Sequence, residues 1–298
     1  MSPNNELDDY IQTHLRHLFP AEVNAERLVY HYTTVDTFEA LTREKADFVC
    51  TYCGALNDKA EFSTGIGLLE RYFASNPHLA GGLSTNTLKN MAEEPAFGSW
   101  TMSFSSMGDS LNQWISYTDQ HNGGVALGFS LDDLFTRISQ SKKSAQLLYL
   151  VPCLYESVHN EEINELLGFL FGPYRDRLYK RCAKMNCPVD KSKSLAMITL
   201  SVALIFAAMV KDGSFREEKE WRIVMQPFDD SVTRGCEFIG GKPRLHTHLF
   251  GRDYLVARSI KDVVCSPHGQ VSNKIRMIAT LRNLAATPRT SKSTYISQ

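Results

Sequence analysis

The chain has 298 residues, 43% hydrophobic and 22% charged, with a formal net charge of −1. That composition supplies a sizeable core, argues against a disordered chain and leaves no global basic field to hold nucleic acid by charge alone. Seven cysteines, an odd number scattered along the sequence, point to reduced thiols and a cytoplasmic setting rather than a disulfide framework.

The polar, acidic start has neither the basic nor the apolar region of a secretory signal. Apolar residues at helical spacing predict a helix over 7–18, ended by Pro20. Leu28–Tyr32 reads as a short strand, and Thr34 as the cap of a helix over 35–41. Residues 47–52 are β-branched and aromatic and predict a strand. A helix is expected from Asn57-Asp58 to Tyr72, followed by a loop through Gly81-Gly82 and residues 84–86. Trp100–Phe104 alternates as a strand, and Asp109 is placed to cap a helix ending at Tyr117. A turn at Gly123-Gly124 leads to a strand over 125–129, with Ser130 capping a helix over 131–138. A strand over 147–155 precedes two long helices, about 161–182 and 192–211. A strand over 220–225, two closing strands at 254–257 and 262–265, and a helix over 271–284 complete the pattern. Leu195–Val210 is apolar for 16 residues, short of the roughly 20 that span a membrane, so it reads as a buried helix.

Strands and helices mix without regular βαβ repetition, which predicts an α+β fold with a split or mainly antiparallel sheet flanked by helices. The chain is read as one domain over 1–285, with a helical insertion at about 161–211 and a flexible Ser/Thr/Pro-rich tail over 286–298.

Familiar catalytic signatures are missing. Cys50 and Cys53 form a C-x-x-C without a second pair, and three apart on a strand they point to opposite faces. Cys182 and Cys187 are poorly spaced for zinc, and no metal site is expected. Gly65-Ile66-Gly67 is too sparse for a dinucleotide loop, and neither a P-loop nor a G-x-S-x-G elbow occurs.

Three segments stand out. In Tyr30-His31-Tyr32-Thr33 an imidazole among aromatics closes a short strand, a group that can bond a ribose hydroxyl beside rings that can stack; a satisfied core histidine is the structural alternative. Ser103, Ser105 and Ser106 cluster at a strand end, followed by Asp109 and by Trp114 and Tyr117 on one helix face. Glu218, Glu220 and Arg222 lie two apart leading into a strand, hence on one face. Paired carboxylates there can stabilise positive charge developing on a sugar; a solvated edge with an ion pair is the alternative.

Together these segments resemble an uncharacterised bacterial domain family whose pattern runs as a YHYT-like start, L-N-D-x-x-E, F-S followed by D-x-x-x-x-W-x-x-Y, a G-rich G-F strand and E-x-E-x-R. Here these are Tyr30–Thr33, Leu56–Glu61, Phe104-Ser105 with Asp109, Trp114 and Tyr117, Gly124–Phe129, and Glu218–Arg222. More distantly, the order of motifs resembles that of ADP-ribosyltransferases, of the histidine-tyrosine-glutamate or arginine-serine-glutamate type. That resemblance implies their split-sheet fold, NAD as substrate, and transfer of ADP-ribose to a protein or nucleic acid, as in a toxin or phage-defence effector held in check by a partner protein. It implies Glu220 as the acid facing the nicotinamide ribose and Glu218 as a group that orients or deprotonates the acceptor. Ser103 or Ser105 would brace the glutamate, His31 would hold the adenosine ribose, and Tyr117 or Tyr32 would stack on nicotinamide. Tyr30, Thr33, Trp114 and Arg222 would complete the binding surface. Tyr32 departs from the usual glycine after the histidine. On this reading Glu220→Gln silences NAD turnover and leaves the fold intact. Two other readings are a non-catalytic binding module, with His31, Asp58, Asp109, Glu220 and Arg222 as a polar network, and a nuclease holding Mg²⁺ on Asp58, Glu61 and Asp109. The helices over 161–211 are the expected surface for a partner or acceptor.

Overall fold

The computed structural model describes residues 3–23, 25–43, 46, 48–53, 60–93, 98–119, 122–140, 146–184, 191–227, 234–239, 242–248, 256–267 and 271–293. In chain order they form α1 (Pro3–His14), β1 (Glu22–Val23), β2 (Glu26–Thr34), α2 (Val35–Leu41), β3 (Val49–Tyr52), α3 (Ala60–Ser75), α4 (Thr85–Glu93), β4 (Trp100–Ser105) and α5 (Leu111–Tyr117). There follow β5 (Gly124–Ser130), α6 (Leu131–Gln140), β6 (Gln146–Pro152), β7 (Leu154–Tyr155), α7 (Asn160–Phe169), α8 (Arg175–Lys184), α9 (Lys191–Met209), β8 (Val210–Lys211) and β9 (Glu220–Pro227). The last elements are β10 (Arg234–Ile239), β11 (Lys242–His248), α10 (Val256–Ser259), β12 (Ile260–Cys265), α11 (Ser272–Leu281) and β13 (Arg289–Thr290). The fold is α+β: a mostly antiparallel open sheet flanked by helices.

The sheet branches at β4. Along one edge β4 pairs with β9 over its whole length, from Trp100↔Met225 to Ser105↔Glu220. Its other edge is shared: β3 takes Trp100 and Thr101, and β2 takes Ser105 through Tyr30. Between them β2 and β3 diverge, and the sheet splits. From β2 one branch runs through β5 and β12 to β13; from β3 the other runs through β11 to β10. On the far side β9 pairs with β6.

Local sequence explains most elements. Thr34 caps α2 by accepting from the Thr37 amide at 3.2 Å, and the Ser130 hydroxyl accepts from the Asp133 amide at the start of α6. The strongly apolar α9 is buried on every side over its second half, as a helix without a polar face must be: Val202–Val210 expose no surface. The C-terminal half of α9 is therefore part of the core. No described helix is long and apolar enough to cross a membrane.

Several expectations are corrected. Asp109 does not cap α5; Ser110 occupies the N-cap position without a side-chain cap, and the Asp109 carboxylate instead accepts from Trp114 Nε1 at 2.8 Å. Residues 85 and 86, expected as loop, begin α4, and Val256–Ser259 is a helical turn rather than a strand. The segment 161–182 is interrupted by a π-type turn at Leu170–Tyr174, where Gly172 leaves helical geometry before Pro173. Residues 289–293, within the stretch expected as a free tail, pair with β12 and with Asp109. Leu56–Asp58, the Glu61 side chain, the Cys182 side chain and Cys187 lie outside the described residues.

Candidate functional site

The motif strands meet. Tyr30 lies directly opposite Ser105, and Ser105 opposite Glu220, so β2, β4 and β9 bring the first, second and third segments into one cross-strand row. Directly opposed residues of an antiparallel pair project to the same face. Tyr30, Ser105 and Glu220 therefore share a face, with Ser103 and Arg222 on the next row.

Glu220 sits in a buried ion cluster. Arg222 grips it with Nε on Oε1 at 2.6 Å and an Nη on Oε2 at 3.1 Å, and Lys211 Nζ donates to Oε2 at 2.8 Å. The same Lys211 ammonium donates to Glu218 Oε2 at 2.5 Å and lies 4.9 Å from the centre of the Phe215 ring. Arg222 also donates to the Ala208 carbonyl of α9 at 3.0 Å. Lys211 exposes no side-chain surface, Glu220 exposes 4% and Glu218 16%. Burial alone would raise the Glu220 carboxyl, but the Arg222 and Lys211 charges overcome it and bring the group down to about 2. Glu220 is thus ionised throughout the physiological range.

The backbone explains how both acids reach one lysine. Glu218 ends a 3₁₀ turn, and Lys219 takes a left-handed conformation, φ 44° and ψ 52°, before β9 begins at Glu220. The two acids do not share a strand face through i, i+2 spacing; the reversal at Lys219 swings them toward Lys211 from two directions. Ser105 fixes this turn: its hydroxyl donates to the Glu218 carbonyl at 2.7 Å, and the Ser106 amide donates to the Lys219 carbonyl. Ser105 braces the backbone of Glu218 rather than the carboxylate of Glu220. The Glu220 amide donates to the Tyr155 hydroxyl at 2.8 Å.

Glu220 opens onto a cleft of ≈ 570 Å³, with Phe19, Trp221, Tyr155 and His159 among its walls and Arg216 and Lys219 at its polar side. Its size and its mixture of aromatic walls with polar and charged groups suit a small ligand or part of a larger one. The His159 Nδ1 accepts from the Tyr155 amide at 2.9 Å, and burial lowers its pKa, so the ring is neutral at pH 7.

The remaining expected residues lie elsewhere. His31 projects to the opposite face and fills the split: its Nδ1–H donates to the Ser103 carbonyl at 2.9 Å, where strand pairing between β2 and β4 has ceased. Burial lowers its pKa more strongly than this bond raises it, which keeps the imidazole neutral. Tyr30, Tyr32 and Trp114 belong to a separate small apolar cluster under α5. Tyr30 donates to Asp262 at 3.1 Å, and Tyr32 donates to the Met107 carbonyl at 2.7 Å while accepting from the Ser110 amide. Thr33 is buried in β2, and Tyr117 is 38% exposed at the end of α5. None of His31, Tyr32 or Tyr117 lines the cleft at Glu220. Among the described residues, no group of three or more His, Cys, Asp or Glu side chains is placed to hold a metal.

Lys211, Tyr155, His159 and Trp221 were not singled out from the sequence as site residues. The signal for Lys211 was present: a lone lysine ending a long apolar run must either reach water or meet acids.

No curated protein and no solved structure matches the chain. Residues 113–223, from within α5 through the Glu218–Arg222 segment, are similar to the family described as "Protein of unknown function (DUF2971)".

Proposed function

We propose that the chain cleaves NAD at the nicotinamide–ribose bond, with Glu220 as the acid beside the sugar, and passes ADP-ribose to a protein or nucleic acid. The observation that carries this reading is the in-register row Tyr30, Ser105, Glu220, which joins three distant motif segments beside a cleft. Among the described residues, Glu220 Oε1 accepts one hydrogen bond and Oε2 two. A carboxylate has about four lone-pair sites, so Oε1 retains capacity for a ribose hydroxyl. When the C–N bond breaks, its electron pair leaves with nicotinamide, whose ring nitrogen becomes neutral. The positive charge left on the ribose is stabilised by the fixed carboxylate. An acceptor nucleophile then bonds the anomeric carbon, and its proton passes to Glu218, the more exposed of the two acids. In this reading His31 holds the split between β2 and β4, and the ring and ribose contacts fall to Tyr155, Trp221 and His159.

A second reading is favoured by one observation. Both Glu220 oxygens are engaged by buried cations, as in a polar network that fixes a non-catalytic binding module. Incubation of the purified chain with NAD labelled in nicotinamide separates the two. Release of free nicotinamide, reduced at least about tenfold in Glu220→Asp, which keeps the charge and withdraws it by one methylene, supports the enzyme. No release above the uncatalysed rate, together with no NAD-dependent rise in Tm, rejects it.

A further inference from the structure

The last described residues engage the cleft wall from outside. The Ser291 hydroxyl donates to Asp109 Oδ1 at 2.5 Å, the Lys292 amide donates to Oδ2 at 2.6 Å, and the Ser293 hydroxyl donates to Oδ1 at 2.9 Å. Trp114 Nε1 adds a fourth donor at 2.8 Å. Just before this contact, Arg289 and Thr290 pair in parallel with β12, and Arg289 grips Asp262 at 2.8 Å. Asp109 belongs to the short loop that leaves β4 after Ser105 and enters α5. The first residues of that loop, Ser106 and Met107, line the cleft. From inside, the loop is held by the Tyr32 hydroxyl, which bridges the Met107 carbonyl and the Ser110 amide, and by the Tyr30 ring beneath Gly108. A Cβ at Gly108 would stand 2.5 Å from Tyr30 Cζ.

We infer that residues 289–293 are a strap that sets the position of the 106–110 wall of the cleft, with Asp109 as its positioning residue. A carboxylate that gathers donors from a segment more than 180 positions away fixes two otherwise separate pieces of chain to each other. Charge-assisted bonds of this kind are roughly twice as strong as neutral ones. The strap reaches the cleft only through backbone it holds in place, so it shapes access to the site without contributing an atom to it. This inference concerns the shape of the cleft and is independent of whether NAD is cleaved.

Backbone hydrogen exchange on the full chain tests it. In Ser291→Ala/Ser293→Ala, β13 and the Arg289–Asp262 pair remain, while two hydroxyl donors to Asp109 are lost. Amides over 106–110 are expected to exchange at least about tenfold faster, with β5 unchanged, because local opening is set by the bonds that hold the segment closed. Asp109→Asn, which keeps an oxygen for Trp114 but places an amide donor against the Lys292 N–H, should give the same pattern. Exchange over 106–110 within twofold of the unsubstituted chain in both variants overturns the strap. So does an acceleration of 106–110 and β5 by equal factors, which would mark a contribution to global stability alone.

Discussion

Replacing Lys211 by Met probes the ion cluster that holds Glu218 and Glu220. Among the described residues the cluster joins Lys211, Arg222, Glu218 and Glu220, and Lys211 exposes no side-chain surface. Methionine is similar in volume and suits the apolar end of α9, so packing changes little. The dominant effect is electrostatic: two carboxylates lose the ammonium they share, with only Arg222 left on Glu220. Removing one member of a buried ionic group typically costs about 3–5 kcal/mol. Glu218 is 16% exposed, and water reaching it places the expected loss toward the lower end, about 3 kcal/mol. Adding Glu218→Gln removes one of the two carboxylates that the Lys211 ammonium serves, so the double variant should be less destabilised than Lys211→Met by about 1 kcal/mol or more. Urea unfolding at pH 7 measures both, read from the midpoint at constant m. A loss of less than about 1 kcal/mol for Lys211→Met, or a double variant that merely sums the single losses, would refute the coupling of Glu218 and Glu220 through Lys211.

Two further outcomes follow from buried groups away from the cluster. Asp8 of α1 is 5% exposed, its Oδ1 has no hydrogen-bond partner among the described residues, and burial, with the nearby Asp9 charge, pushes its carboxyl from 3.8 up to about 8. A raised native pKa contributes stability below the ordinary value that is lost as pH rises through about 8. Stability should therefore fall by up to about 1.4 kcal/mol per pH unit across that window, and Asp8→Asn should flatten the slope and stabilise at pH 7 by 1 to about 4 kcal/mol; an unchanged slope in denaturant titrations would contradict this. Gly65 of α3 touches α9 so closely that a Cβ would lie 2.5 Å from Ala207 Cα and 2.8 Å from its carbonyl oxygen. Gly65→Ala must force the helices apart despite its better helix propensity, a loss of about 1–3 kcal/mol by thermal unfolding, whereas Gly67→Ala, with only the end of Arg71 near it, should be neutral or stabilising.

Elements marked by local chemistry were legible in the sequence. Thr34 and Ser130 announce the helices they cap, and the uniformly apolar 195–210 segment announces a helix without a wet face. The α+β class followed from the mixture of periodicities. The role of Gly65 as a contact point between α3 and α9 depends on tertiary approach that no spacing rule reveals. The same limit applies to the site. Local spacing placed Glu220 and Arg222 on one face, where the structure joins them. It also placed Glu218 there, because nothing in the residue types signals that Lys219 turns left-handed. The Tyr30–Thr33 segment was read as one unit, yet strand alternation sends His31 to one face and the two tyrosines to the other. Tyr155 and His159 enter through a short parallel pairing of β7 with β8, a long-range contact invisible to a linear reading. The three motif strands were singled out before they could be seen side by side; their common row is a property of sheet topology.

Hydrogen exchange of the unsubstituted chain with and without saturating NAD tests the central claim most directly, since it reports where the dinucleotide sits whether or not it is turned over. The account predicts slowed exchange in 152–159 and 216–221, the segments that carry the cleft walls and Glu220, with little change in the distant β12. Protection confined to other segments, or none at NAD concentrations that raise Tm, would contradict the placement of the nicotinamide ribose beside Glu220.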